Sequence, residues 1–130
     1  MPTIVFLCVA NSARSQMAEG LARAMALGKD YRFFSAGSQP GTLNPLAVRA
    51  LAEQGVDIAH HRSKGLGDVP LAEADVIVTL CAEEVCPFVP GNMQRLHWPL
   101  PDPTDFAGFR AARDELRRLL PALWGGADQP

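Results

Sequence analysis

The sequence predicts an α/β fold: a single domain with a four-stranded parallel sheet, helices on both faces and a flavodoxin-like strand topology. Two observations carry this. The short runs at 3–9 and 76–80 are almost wholly apolar, as strands buried on both faces of a parallel sheet are. Segments of helical pattern separate the strands, the alternation that doubly wound sheets require. Length sets the domain count, because 130 residues at 48% hydrophobic content bury one core but hardly two. Residues 1–130 are therefore expected to form one domain.

The elements follow in order. Residues 3–9 form a β-branched and apolar strand, a polar turn follows, and residues 17–27 have helix-forming composition ending at Gly28. Residues 31–36 read as the second strand. Asn44-Pro45 supplies an N-cap and a first-turn proline for a helix closing at Gly55. Gly65, Gly67 and Pro70 make residues 62–71 a loop, and residues 76–80 make a short buried strand. Residues 94–98 form the fourth strand, and three prolines make residues 99–103 a loop. Across 104–124, Phe106, Phe109, Ala112, Leu116, Leu119, Leu120 and Leu123 recur at helical spacing and give one apolar stripe for the sheet.

Composition removes several function classes. The formal charge is -2 and no long basic run is present, so the electrostatic footprint of a nucleic-acid binder is missing. No apolar run approaches the roughly 20 residues needed to span a bilayer, and the first charge, Arg14, falls inside a motif rather than in a signal-peptide start. A cytoplasmic monomer is expected. Thiols stay reduced in that compartment, so three cysteines point to reactivity or metal binding rather than to a structural disulfide framework.

The first constellation is Cys8-Val9-Ala10-Asn11-Ser12-Ala13-Arg14-Ser15, which follows a strand and opens a helix. Successive backbone N–H groups from Val9 to Arg14 can converge on one tetrahedral anion near the positive helix end. Arg14 adds a planar fork that holds two oxygens at once. Ser15 can donate to the Cys8 sulfur, and hydroxyl, arginine and helix end together favour thiolate over thiol. Cys8 is read as a nucleophile. A buried strand cysteine beside an ordinary helix-start arginine is the plainer alternative, and the strand–loop–helix context favours the nucleophile.

Two further cysteines follow the third strand. Cys81 comes directly after it, at the same sheet edge as the loop that begins at Cys8, so the two thiols can meet. Cys86 lies five positions on; in an intact helix the two Cα atoms would be roughly 8–9 Å apart, beyond the ~7 Å limit of a disulfide. If they bridge, residues 82–85 must unwind or loop out. A zinc site from Cys81, Cys86 and His97 lacks a fourth ligand and paired spacing. Simple packing leaves the clustering of both cysteines at a strand end unexplained. His97 is assigned no catalytic role, and no bound cofactor or metal is expected.

The run FLCVANSARSQMAEG resembles the C-x5-R-S loop of low-molecular-weight protein tyrosine phosphatases and thioredoxin-coupled arsenate reductases. The likeness extends through Ser35-Ala36-Gly37, Asn44-Pro45, 55–58 and His97-Trp98 to Asp102-Pro103, most of the chain. It implies the fold and loop chemistry of that family, and it places Asp102 over the loop as the general acid for the leaving oxygen. An Asp-Pro pair alone is an ordinary turn, so this role rests on the resemblance.

Both activities of the family begin with attack of the Cys8 thiolate on a bound oxyanion. The later cysteines separate them, because reducing arsenic(V) takes two electrons, which a dithiol supplies by becoming a disulfide. The resemblance implies arsenate as substrate, a Cys8 adduct, a Cys8–Cys81 disulfide, a final Cys81–Cys86 disulfide, and thioredoxin as external reductant. A tyrosine phosphatase, or a non-enzymatic redox or anion sensor, are the alternatives; Tyr31 is the only tyrosine, and Thr104 follows the Asp-Pro pair where phosphatase relatives carry tyrosines. Two departures stand out. The cysteine pair is spaced C-x4-C, closer than in many relatives. Some relatives also bind a monovalent cation through an Asn, a Ser, a Thr and an Asp; Asn11 and Ser35 are present, but Arg62 and Lys64 stand at the other two positions, so potassium independence is expected.

Overall fold

The computed structural model of the chain describes residues 2–82 and 86–124. Four parallel strands, β1 (Thr3–Cys8), β2 (Arg32–Gly37), β3 (Val76–Thr79) and β4 (Gln94–His97), form one sheet in the order β2-β1-β3-β4. β1 is central and buried at every position, which is why its sequence is apolar without alternation. In register, Cys8 stands opposite Gly37 on one side, and Leu7 stands opposite Thr79 on the other. The expected topology is the one observed.

Three α-helices, α1 (Arg14–Met25), α2 (Pro45–Ala52) and α3 (Phe106–Leu119), share one core with one sheet face. Ile4, Phe6, Phe33 and Val78 come from the sheet, with Leu80 just past the end of β3; Met17, Leu21, Leu51, Phe109 and Leu116 come from the helices. Phe109 is 1% exposed, and truncating such a residue to alanine costs about 3–5 kcal/mol. The opposite face presents Val5, Leu7, Ala36 and Ile77 and is covered by Val69, Val89 and the flanks of two 3-10 turns at Leu66–Asp68 and Leu71–Glu73. Helical segments thus lie on both faces, but the second face carries single 3-10 turns, because Gly65, Gly67 and Pro70 break any longer helix there. No helix among the described residues is long and apolar enough to cross a membrane.

Element ends differ from expectation where local chemistry decides them. α1 begins at Arg14 rather than near 17, because the loop runs directly into the helix with Ala13 at the N-cap and no side-chain cap. α2 starts as expected, with the Asn44 side chain accepting from the Leu46 amide at 2.9 Å. It ends three residues before Gly55, whose φ of 77° turns the chain away. The last helix is capped by Asp105, which accepts from Gly108 N at 2.8 Å, and it tightens to a 3-10 helix at Leu120–Trp124 around Pro121.

α2 and α3 are joined by charge as well as packing. Glu53 accepts from Arg110 and from Arg113, the latter at 2.7 Å, while buried Arg113 also donates to the Ala50 carbonyl at 2.8 Å. The Arg110 guanidinium first, and Arg113 next, hold the Glu53 carboxyl down at about 2 against an ordinary 4.5. A carboxylate held down in the fold adds stability above its unfolded value, which disappears as pH falls toward its folded one. Thermal melts of Glu53→Gln are therefore expected to match wild type ever more closely as pH falls from 4.5 toward 2, with the variant less stable at neutral pH. Equal melting temperatures at pH 7 would exclude this contribution.

Candidate active site

The loop between β1 and α1 owes its shape to the directions of its peptide groups. Val9 O accepts from Gln39 N at 2.9 Å, Ala10 O from Gly41 N at 3.0 Å and from Ser63 Oγ at 2.8 Å, and Ser12 O from Asn44 N at 2.9 Å. These carbonyls are engaged by the segments outside the loop. In a planar trans peptide the following N–H points the opposite way, so the N–H groups of Ala10 and Ala13 turn inward. There they meet a cavity of about 190 Å³ lined by Cys8, Val9, Ala10, Ser12, Ala13, Arg14 and Asp102. Converging amides and one guanidinium suit a small tetrahedral oxyanion.

Asn11 does not line this cavity. It is fully buried with φ 51°, a left-handed conformation in which asparagine is among the few tolerated side chains. Its carboxamide orientation is forced. The Lys64 amide can only donate, so the atom it meets at 2.8 Å is Oδ1. Nδ2 then donates to Ser15 Oγ at 2.8 Å. Ser15 Oγ lies 2.9 Å from Cys8 Sγ, and with Asn11 filling an acceptor site its own proton is available to the sulfur. Cys8 is 2% exposed and is the free cysteine.

Gln16 and His61 complete the support. Gln16 Nε2 donates to Asn11 Oδ1 at 2.8 Å and to the Arg62 carbonyl at 2.7 Å, leaving Oε1 to face His61 Nδ1 at 2.9 Å. That nitrogen must therefore carry the proton. Gly37 closes the loop from the β2 side: a Cβ there would lie 2.3 Å from Val9 O and 2.9 Å from Asn11 N.

Arg14 is 5% exposed and donates through Nη1 to the Leu100 carbonyl at 2.9 Å, with Nη2 3.9 Å from Asp102 Oδ1. It thereby fixes the proline-rich loop against the cavity. Asp102 is 72% exposed, free to meet a bound ligand from the solvent side. A larger groove of about 510 Å³ runs along α3 and shares Asp102, but none of the three cysteines lines it.

Cys81 and Cys86 are bonded to each other, with Cα atoms 5.5 Å apart. That is within reach of a disulfide and well short of the helical separation; the expected unwinding falls on 82–85, of which 83–85 lie outside the described residues. Leu80 N donates to Leu7 O at 2.9 Å, so Cys81 leaves β3 beside the end of β1. Neither cysteine lines the loop cavity. Cys81 is 1% exposed; Cys86 is half-buried and lines a separate cavity of about 270 Å³ with Phe88, Arg95 and His97. His97 pairs with Thr79 Oγ1 through Nδ1 at 2.7 Å.

Beside Ser35, at the position read for a monovalent cation, lies a side-chain ammonium. The Lys64 ammonium takes that place, 3.2 Å from Glu19 Oε1, 3.4 Å from Ser35 Oγ and 3.5 Å from Arg62 O. Of these residues the sequence reading missed Gln16, Glu19 and His61 as supports; polar side chains at 15, 16 and 19 in an otherwise apolar helix were the available signal.

A strand–loop–helix anion cradle with one buried free thiol, on a β2-β1-β3-β4 sheet, defines a class, and the chain matches it: residues 3–128 match Low molecular weight phosphotyrosine protein phosphatase, and the chain belongs to that family. Within it, the chain is 41% identical over 122 residues to arsenate reductase 1 of Staphylococcus epidermidis, covering 91% of this chain and 92% of that one. A solved arsenate reductase in the phosphate binding state superposes with TM-score 0.84 at 29% identity, covering 95% and 96% of the two chains. A thioredoxin-dependent arsenate reductase from Corynebacterium glutamicum gives TM-score 0.75 at 31% identity, over 95% of this chain and 62% of that one.

Two outcomes are expected. Gly37→Ala should displace Val9 or Asn11 and abolish protection of Cys8 from alkylation by phosphate; intact protection would show that the loop tolerates the methyl group. Burial, against the opposing pull of Glu19, lowers the His61 pKa from 6.5. Its protonation therefore opposes folding, and stability should fall as pH drops below 6.5 until the lower folded value is passed. Thermal melts should show less of this loss in His61→Asn, and identical pH profiles would rule out His61 as its source.

Proposed function

We infer that this chain reduces arsenate to arsenite. The observation that carries the reading is a free, donor-supported Cys8 in an oxyanion cradle, with a Cys81–Cys86 disulfide at the end of the adjacent strand. The arsenate reductases to which the chain is similar supply the substrate.

The chemistry balances as follows. The Cys8 thiolate attacks arsenic(V), held by the loop amides and Arg14, and Asp102 gives the departing oxygen its proton so that it leaves as water. The Cys81 thiolate then attacks Cys8 Sγ; a disulfide forms and the sulfur–arsenic bonding pair leaves with arsenic, now arsenic(III). Cys86 attacks Cys81 Sγ and frees the Cys8 thiolate. The remaining Cys81–Cys86 disulfide takes two electrons from thioredoxin. With Cys81 1% exposed and Cys86 more open, the entering thiol meets Cys86. We place this activity in one monomeric domain, residues 1–130, in the reducing cytoplasm, with no resident cofactor.

The test is arsenate-dependent NADPH consumption coupled through thioredoxin and its reductase. Native protein should turn over, whereas Cys86→Ser should release about one equivalent of arsenite from its own two thiols and then stop without sustained NADPH consumption. Hydrolysis of an aryl phosphate by both forms without NADPH consumption would instead establish a phosphatase.

A further inference from the structure

We propose that Lys64 is a positioning residue for Cys8, supplying from within the chain the monovalent cation that holds the anion loop in its reactive shape. Glu19 on α1 is 4% exposed at its side chain, and a buried carboxylate needs compensating charge. Arg23, half exposed, meets Oε2 at 2.7 Å. Oε1 faces inward, where it accepts from Ser35 Oγ and meets the Lys64 ammonium. That ammonium is 14% exposed and lies 3.2, 3.4 and 3.5 Å from three oxygens of three different segments. It sits among them as an ion does in a cage of oxygens rather than on one partner.

The backbone of the same residue carries the effect to the loop. Lys64 N donates to Asn11 Oδ1 at 2.8 Å, and Lys64 O accepts from Gly37 N at 3.0 Å. The side chain thus anchors Lys64 to α1 and β2, and the main chain anchors Asn11 and Gly37 to Lys64. Without the charge, Glu19 keeps its exposed arginine and the Ser35 hydroxyl, the 62–64 segment loses its inward tether, and of the two donors that set the Asn11 carboxamide only Gln16 Nε2 stays in place. The Asn11–Ser15 bond is then held less firmly, and with it the hydroxyl that faces Cys8. Lys64 touches no reacting atom; it acts through Asn11 and Ser15.

Its effect on turnover rests on the function proposed above, whereas its effect on Cys8 does not, and the experiment reads both. Native protein, Lys64→Ala and Lys64→Met are compared in sodium, potassium and ammonium chloride at equal ionic strength. The readouts are the pH profile of Cys8 alkylation, with Cys81–Cys86 oxidised, and kcat/KM for arsenate. Native protein should be indifferent to the cation. In sodium, both variants should alkylate with a midpoint at higher pH and lose on the order of 10–100-fold in kcat/KM. Potassium or ammonium, close in size and charge to the missing group, should restore Lys64→Ala several-fold. Lys64→Met fills the space without charge and should not recover. If Lys64→Ala fails to fold, Lys64→Met decides: a native alkylation profile in that variant overturns the proposal. So does a Lys64→Ala defect equal in all three salts, or stimulation of native protein by potassium. Absence of arsenate turnover in native protein sinks the proposed function and leaves the alkylation result standing.

Discussion

The carboxamide of Asn11 is the constraint on which the loop depends. A buried residue with φ 51° is held in a conformation disfavoured for most side chains, and it persists where its surroundings over-determine it. Here they do: Oδ1 takes donors from Lys64 and Gln16, and Nδ2 gives its proton to Ser15. Turning the carboxamide over would set two donors against an NH2 group and remove the donor to Ser15. This one orientation fixes both the reversal that sends the loop amides inward and the hydroxyl that faces Cys8.

The cost of that arrangement is distributed over α1. The helix is buried from Arg14 to Ala22, yet it carries Ser15, Gln16 and Glu19. These sit at helical spacings on one side and meet Asn11, Arg62 and Lys64, while Met17, Ala18, Leu21 and Ala22 face the core shared with the other helices. A helix buried all round is ordinarily apolar all round. The exception here is satisfied polar atom by polar atom, and among the described residues no buried side-chain nitrogen or oxygen lacks a partner. Gly20 has its own reason in the packing, since a Cβ there would lie 2.4 Å from Ile58 Cγ2.

Much of this was legible in the sequence because it depends on local pattern. Buried parallel strands read as apolar runs, Asn44-Pro45 starts its helix, and Cys8 to Ser15 lies between strand and helix as its spacing implies. The ends of elements were less legible, since they turn on a single cap or proline: Asp105 caps the last helix, and Pro121 tightens its end. The support of the loop was least legible. Gln16 meets Arg62 across 46 positions and His61 across 45, and nothing local to either residue announces the other. Asn11 illustrates the same limit. Its place in the motif suggested a backbone N–H for the oxyanion, while the bracing of the loop by its side chain, through Lys64, Gln16 and Ser15, had no local signal.

The two cysteines after β3 differ in a way that bears on the proposed relay. A thiol that must reach Cys8 and then give up its disulfide to an external protein faces opposite demands: proximity to a closed cavity, and access for a macromolecule. Dividing the task between two sulfurs relieves the conflict. Cys81 is buried where β3 ends beside β1, and Cys86 opens onto a different cavity, beside a Phe88 ring that is 75% exposed under the Arg95 guanidinium. The Cys81 amide lies 3.2 Å from Cys86 Sγ, so the buried end of the pair orients the open one. In the proposed relay, substrate and reductant would therefore meet separate surfaces, the anion at the loop cavity and the entering thiol at Cys86. The oxyanion cradle could then stay small enough to select a tetrahedral anion, because that relay requires nothing larger to enter it.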